Sequence, residues 1–158
     1  MRKKINMIKK IKFPSLSFAH YFSGEIEALG HMIFFYPKKR IKNAKIKFYG
    51  TYSKNILTLK EDYQDNEDKI LRKWVFEKVN NNYYLGKEKN VIGNVIVKSE
   101  SNYLMMNYKF KTNYKAIKFI VSVQDYMYQI DEIYLINKTK IYKFGIVIAE
   151  SIMLYKKL

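Results

Sequence analysis

Between residues 55 and 79, apolar and polar positions alternate strictly on both sides of a polar turn. Leu57, Leu59 and Tyr63 share one face of the outgoing arm, and Ile70, Trp74 and Phe76 share one face of the returning arm. Asp65, Asn66, Glu67 and Asp68 lie between them. Period-two alternation around such a turn predicts an antiparallel hairpin. Centring it between Asn66 and Glu67 sets Tyr63 opposite Ile70, Leu59 opposite Trp74 and Leu57 opposite Phe76. The resulting apolar face has to meet a core. The same register sets Glu61 opposite Arg72 on that face. A charged pair there must stay paired, because desolvating either ion alone is costly.

The pattern continues along the chain. Strands are predicted at 25–36, 41–52, 55–64, 69–79, 82–87, 93–99, 102–111, 116–128, 132–139 and 144–156, separated by short turns rich in Asn, Asp, Ser, Lys and Pro. Connections this short pair neighbouring strands in sequence order. The expected fold is all-β: a single antiparallel up-and-down barrel of roughly eight to ten strands, closed so that no edge is left exposed. No long helical period, internal repeat or linker is present. In the strand from 116, Ile117, Phe119, Val121, Val123 and Met127 share a face with Asp125. In the last strand, strict alternation groups Ile146, Ile148, Ile152 and Leu154 with Glu150. In the first it groups Glu27, Leu29, His31, Ile33 and Phe35. Carboxylates therefore recur on otherwise apolar faces.

A chain of 158 residues, 48% hydrophobic, is long enough for one domain with a sizeable core. It divides into a basic N-terminal tail, 1–13, and a barrel, 14–158. The absence of cysteine excludes disulfides, thiolate catalysis and cysteine lipidation. The net charge of +16 suits an anionic partner, but Lys, Asn, Ile and Tyr are abundant together, as compositional bias would produce. Arginine is confined to Arg2, Arg40 and Arg72. Because phosphate and base recognition favours arginine forks, nucleic acid is not the expected partner. Ile5, Ile8 and Ile11 in the basic tail fit a short amphipathic helix on an anionic membrane or, equally, a solvated end. The segment 13–22, with Pro14, two serines and His20, makes a poor signal-peptide core. A cytoplasmic or membrane-peripheral protein is the expectation.

His20 and His31 lack the companions a metal site needs. No G-x-S-x-G, P-loop or G-x-G-x-x-G occurs. No metal, cofactor or catalytic residue is assigned. Three readings of the polar groups on apolar faces remain open. They fix strand register, with Glu61 on Arg72 and Asp125 on Asn137 or Lys138; they orient a ligand held inside the barrel; or they perform acid–base chemistry. The register of the second hairpin is ambiguous by one residue, so the partner of Asp125 stays undecided.

An ordered set of landmarks resembles the bacterial family known as domain of unknown function 3833, many of whose members are described as lipoproteins. The set runs Pro14, Leu16, Tyr21, Phe22, Gly24, Gly30, Leu59-x-Glu61-x-Tyr63, Arg72-x-Trp74 and Tyr84-x-Gly86. It continues through Val91-x-Gly93, Asp125 to Tyr128, Leu135 to Lys138, Lys143 to Gly145, and Glu150. The resemblance implies a lipocalin-like barrel and no established activity. The chain departs from it at Leu29, where the family carries tryptophan, and at Tyr126, and it lacks the lipobox cysteine. The first expectation is a non-enzymatic barrel that binds a small apolar or amphipathic, lipid-like molecule. Glu61, Arg72, Trp74, Asp125, Tyr126, Asn137 and Glu150 would line or brace its interior. The alternatives are a ligand-free protein docking on an anionic membrane through its tail, and an enzyme acting on a lipid-like substrate through Asp125 or Glu150.

Overall fold

The computed structural model describes residues 11–158. Most of the basic tail, and with it the expected amphipathic helix, lies outside the described residues. A five-residue helix, α1 (Phe18–Phe22), precedes ten strands. These are β1 (Gly24–Phe34), β2 (Arg40–Ser53), β3 (Ile56–Asp65), β4 (Lys69–Asn80), β5 (Tyr83–Lys87), β6 (Val91–Glu100), β7 (Tyr103–Tyr114), β8 (Ile117–Gln129), β9 (Tyr134–Lys143) and β10 (Ile146–Lys157). Each pairs antiparallel with its sequence neighbour, and β1 closes on β10. The result is an all-β, lipocalin-like closed barrel. Every predicted strand is present, and the hairpin of β3 and β4 has the predicted register: Tyr63 on Ile70, Glu61 on Arg72, Leu59 on Trp74 and Leu57 on Phe76.

The turns follow from their side chains. One carboxylate oxygen of Asp65 accepts from the backbone N–H of Glu67 at 2.7 Å and of Asp68 at 2.8 Å, which shapes the β3–β4 turn. Asp131 does the same for Ile133 and Tyr134. Asn55 and Lys54 adopt positive φ between β2 and β3, as a two-residue hairpin turn requires.

The helix α1 closes one end of the barrel. Phe18, Tyr21 and Phe22 are all but fully buried. The Phe18 ring packs edge-on against Phe76 at 5.0 Å and Tyr84 at 5.2 Å, while Phe22 meets Phe48 and Tyr155. Tyr21 donates its hydroxyl to the carbonyl of Ile133 at 2.9 Å. Gly50 lets the helix backbone approach β2, since a Cβ there would strike the carbonyl of Phe22.

Two strands present faces other than alternation predicts for a core. A bulge between Val147 and Ala149 shifts β10 by one residue, so Ala149, Ser151, Met153 and Tyr155 are buried while Glu150, Ile152 and Leu154 turn outward. In β1 the buried face is Ile26 and Ala28, and Leu29 and His31 are exposed. The outward set aligns across five strands as Leu29, Leu154, Ile136, Tyr128 and Tyr103, an apolar row on the outer wall.

Candidate functional site

The barrel encloses a cavity of about 800 Å³. It opens at the end carrying the β1–β2, β3–β4, β7–β8 and β9–β10 turns, opposite α1. Alternating inward residues of the long strands supply its wall: Ala44, Ile46 and Phe48 from β2; Val121, Val123 and Met127 from β8; Ala149, Met153 and Tyr155 from β10. Phe22 and Phe76 floor it. The volume and the mainly apolar lining match sites that enclose a small organic molecule.

Two polar clusters interrupt the apolar wall. In the first, Glu61 accepts from Arg72 Nη1 at 2.7 Å through one oxygen and from Trp74 Nε1 at 2.6 Å through the other. The three residues come from one hairpin. Glu61 and Arg72 are a directly opposed pair, and Trp74 is the next inward residue on β4. The Arg72 guanidinium lies 5.5 Å from the Phe110 ring and 5.9 Å from that of Tyr63.

In the second cluster, Asp125 accepts from three neutral donors. Tyr108 donates its hydroxyl at 2.9 Å, Asn137 its Nδ2 at 3.4 Å, and the Thr139 hydroxyl donates to the same oxygen as Asn137. No described cation forms an ion pair with this carboxylate. Removal from bulk water raises its pKa, opposed by the hydrogen bonds of Thr139, Tyr108 and Asn137. Burial, then the Asp125 charge, pushes the Tyr108 phenol well above its usual range, so it remains a donor. The β8–β9 register resolves the partner of Asp125. Thr139 stands directly opposite, Asn137 lies diagonally on the same inward face, and Lys138 points outward opposite Tyr126.

At the mouth, Lys42 Nζ gathers three carboxylates of the β3–β4 turn: Glu67 at 2.7 Å, and Asp65 and Asp68 each at 3.4 Å. Burial alone would raise the Asp65 carboxyl. The Glu67 N–H, the Tyr63 hydroxyl, the Asp68 N–H and the Lys42 charge together hold it down at about 2. Arg40 lies over the mouth with its guanidinium 4.5 Å from the Phe34 ring. On the side wall, β5 is short and its pairing with β4 begins only at Val75. Edge contact of Trp74 with Tyr108 at 5.7 Å and the stack of Arg72 on Phe110 bridge the interval from β4 to β7.

Five of the seven residues expected inside therefore face the cavity: Glu61, Arg72, Trp74, Asp125 and Asn137. Two do not. Tyr126 alternates with Asp125 and Met127, so it lies on the outer wall, stacked near Tyr103 with its hydroxyl on Gln124. Glu150 is turned out by the β10 bulge and pairs across the strands with Ile33 and Lys140. Tyr108, Thr139, Lys42 and Ser151 also belong to the lining, and the sequence alone does not single them out. Tyr108 and Thr139 follow from period-two alternation only once the register of β7, β8 and β9 is fixed.

The fold is shared with solved structures. An S-type phycobiliprotein lyase from Guillardia theta superposes with a TM-score of 0.64 at 9% identity, covering 89% of this chain and 90% of that one. The protein Rv2717c of M. tuberculosis superposes with a TM-score of 0.55 at 9% identity, covering 87% of this chain and 93% of that one. Likeness at this identity is likeness of fold. No curated protein sequence matches the chain. The family model described as "Protein of unknown function (DUF3833)" matches residues 2–157, and the chain belongs to that family, the one its landmarks resemble.

Proposed function

We propose that the barrel is a binding protein for a small amphipathic molecule held in its interior. The observation that carries this reading is the cavity itself. It is about 800 Å³, apolar over most of its wall and open at one end, with buried polar clusters at defined heights. A structural core would close such a volume, because empty apolar space forfeits packing and destabilises the fold. Likeness to a phycobiliprotein lyase fold is consistent with a small-molecule partner.

Binding is favoured over catalysis by the state of the carboxylates. Glu61 has one oxygen committed to Arg72 and the other to Trp74, and Asp125 is engaged by three donors. Neither stands free as a general base. Their arrangement positions the walls and leaves the Ser151 hydroxyl as a polar contact for a guest.

Native mass spectrometry after incubation with a total lipid extract tests this, with organic extraction to identify what is carried. A reproducible one-to-one adduct of a small amphipathic molecule is expected. A bare protein mass after exposure to the extract would overturn the reading.

A further inference from the structure

We infer that the mouth is an anion-binding rim, at which Arg40, with Lys143, holds the carboxylate head of a long-chain acid whose apolar chain fills the barrel. This deepens the proposed binding function and rests on it.

The charged groups facing the cavity divide into those already satisfied and those left over. Glu61 belongs to Arg72, and Asp65 and Asp68 belong to Lys42. Asp125 is engaged by Thr139, Tyr108 and Asn137. Arg40 and Lys143 remain. The carboxylate nearest to Arg40 among the described residues is Glu67, 3.9 Å away, and Glu67 sits much closer to Lys42, at 2.7 Å. Lys143 donates to the Ile120 carbonyl at 2.8 Å and has no acidic partner among the described residues.

Arg40 is also placed to meet whatever enters. Its guanidinium lies 4.5 Å from Phe34 on the neighbouring strand and 5.8 Å from the ring of Tyr114. In the strand order of the closed barrel, β2 and β7 occupy opposite walls. The arginine therefore spans the opening, its apolar stem and flat face against aromatic rings and its donors available to an anion.

The direction of the guest follows from electrostatics. Deeper in the barrel an anionic head would meet Glu61 and Asp125, whereas at the rim it meets Arg40, whose nearest described carboxylate is Glu67 at 3.9 Å, and Lys143, which has no acidic partner among the described residues. The chain below the head would lie against Phe119, Val121, Ile141 and Phe34. A guanidinium fork matches a carboxylate through two parallel hydrogen bonds. Asp65, Glu67 and Asp68 share the rim, so a monoanionic head is accommodated better than a dianionic phosphate monoester. The net charge of +16 would speed the approach of such an anion.

The test compares a long-chain fatty acid, ionised at the working pH, with the fatty alcohol and the alkyl phosphate of equal length, on the wild-type protein and on Arg40→Gln and Arg40→Lys. The acid should bind wild type about tenfold more tightly than the alcohol, the value expected of a charge-assisted contact. Arg40→Gln should remove that difference by weakening the acid alone, and Arg40→Lys should retain part of it. Equal affinity for acid and alcohol in wild type would overturn the anion rim while leaving the binding function standing. The rim would fall in the same way if Arg40→Gln weakened both guests alike, or if the phosphate bound more tightly than the acid. Binding of none of the three probes would overturn both.

Discussion

Glu61→Ala should destabilise the barrel by about 3 kcal/mol, lowering Tm by roughly 6–12 °C. The carboxylate is the shared acceptor of Arg72 at 2.7 Å and Trp74 at 2.6 Å, and its side chain is only 8% exposed. Removing it strands a guanidinium in a largely apolar wall and orphans an indole N–H. The 21% exposure of Arg72 keeps the loss at the lower end of the range for a broken buried pair. The double variant Glu61→Leu, Arg72→Met behaves differently. With both charges gone and volume preserved, it should stay within about 1–2 kcal/mol of wild type, the remaining loss coming from the unsatisfied Trp74 N–H. Urea unfolding of the three proteins checks this. A single variant as stable as the double would mean that the pair contributes nothing to holding β3 on β4.

Phe18→Ala should cost about 3–5 kcal/mol, the range for deleting a buried phenyl ring. The ring is 1% exposed and makes edge contacts with Phe22, Phe76 and Tyr84 at 5.0–5.2 Å. Those contacts attach a five-residue helix to the barrel, and a helix that short has little stability of its own. The loss should be larger than for an equivalent deletion on the outer wall, because the void it leaves joins the cavity instead of collapsing. Chemical denaturation is the readout. A loss below about 1 kcal/mol would show that α1 does not close the barrel.

Much of this is legible in the sequence, because a strand with one buried face writes its register as alternation. The β3–β4 hairpin and its Glu61–Arg72 pair follow from that rule alone, as does the inward face of β8 with Asp125 on it. Failures have physical causes. Strict alternation in β10 carries Glu150 inward, but the bulge between Val147 and Ala149 inverts every later residue, and nothing in the residue types there announces it. In β1 the inward positions include the small Ala28 and Gly30, so the outer Leu29 and Ile33 resemble the core face. Tyr126 is next to Asp125 in the chain, yet adjacent strand residues face opposite ways. The plug helix leaves no trace in the pattern, because five residues are too few to show a helical period. Singling out Arg40 requires the ion pairs themselves, which only the three-dimensional arrangement of the β3–β4 turn reveals.

If the barrel interior is an accessible binding cavity, a guest within it lies beside Trp74. Trp74 is the protein's single tryptophan and lines that cavity, so its emission reports on the interior alone. The most direct measurement is energy transfer from Trp74 to an amphipathic fluorescent probe such as anilinonaphthalene sulfonate, titrated to saturation. An accessible cavity predicts one-to-one saturable binding with quenching of Trp74 and displacement of the probe by a long-chain fatty acid. Probe binding that leaves Trp74 emission unchanged, or no saturable binding, would contradict it.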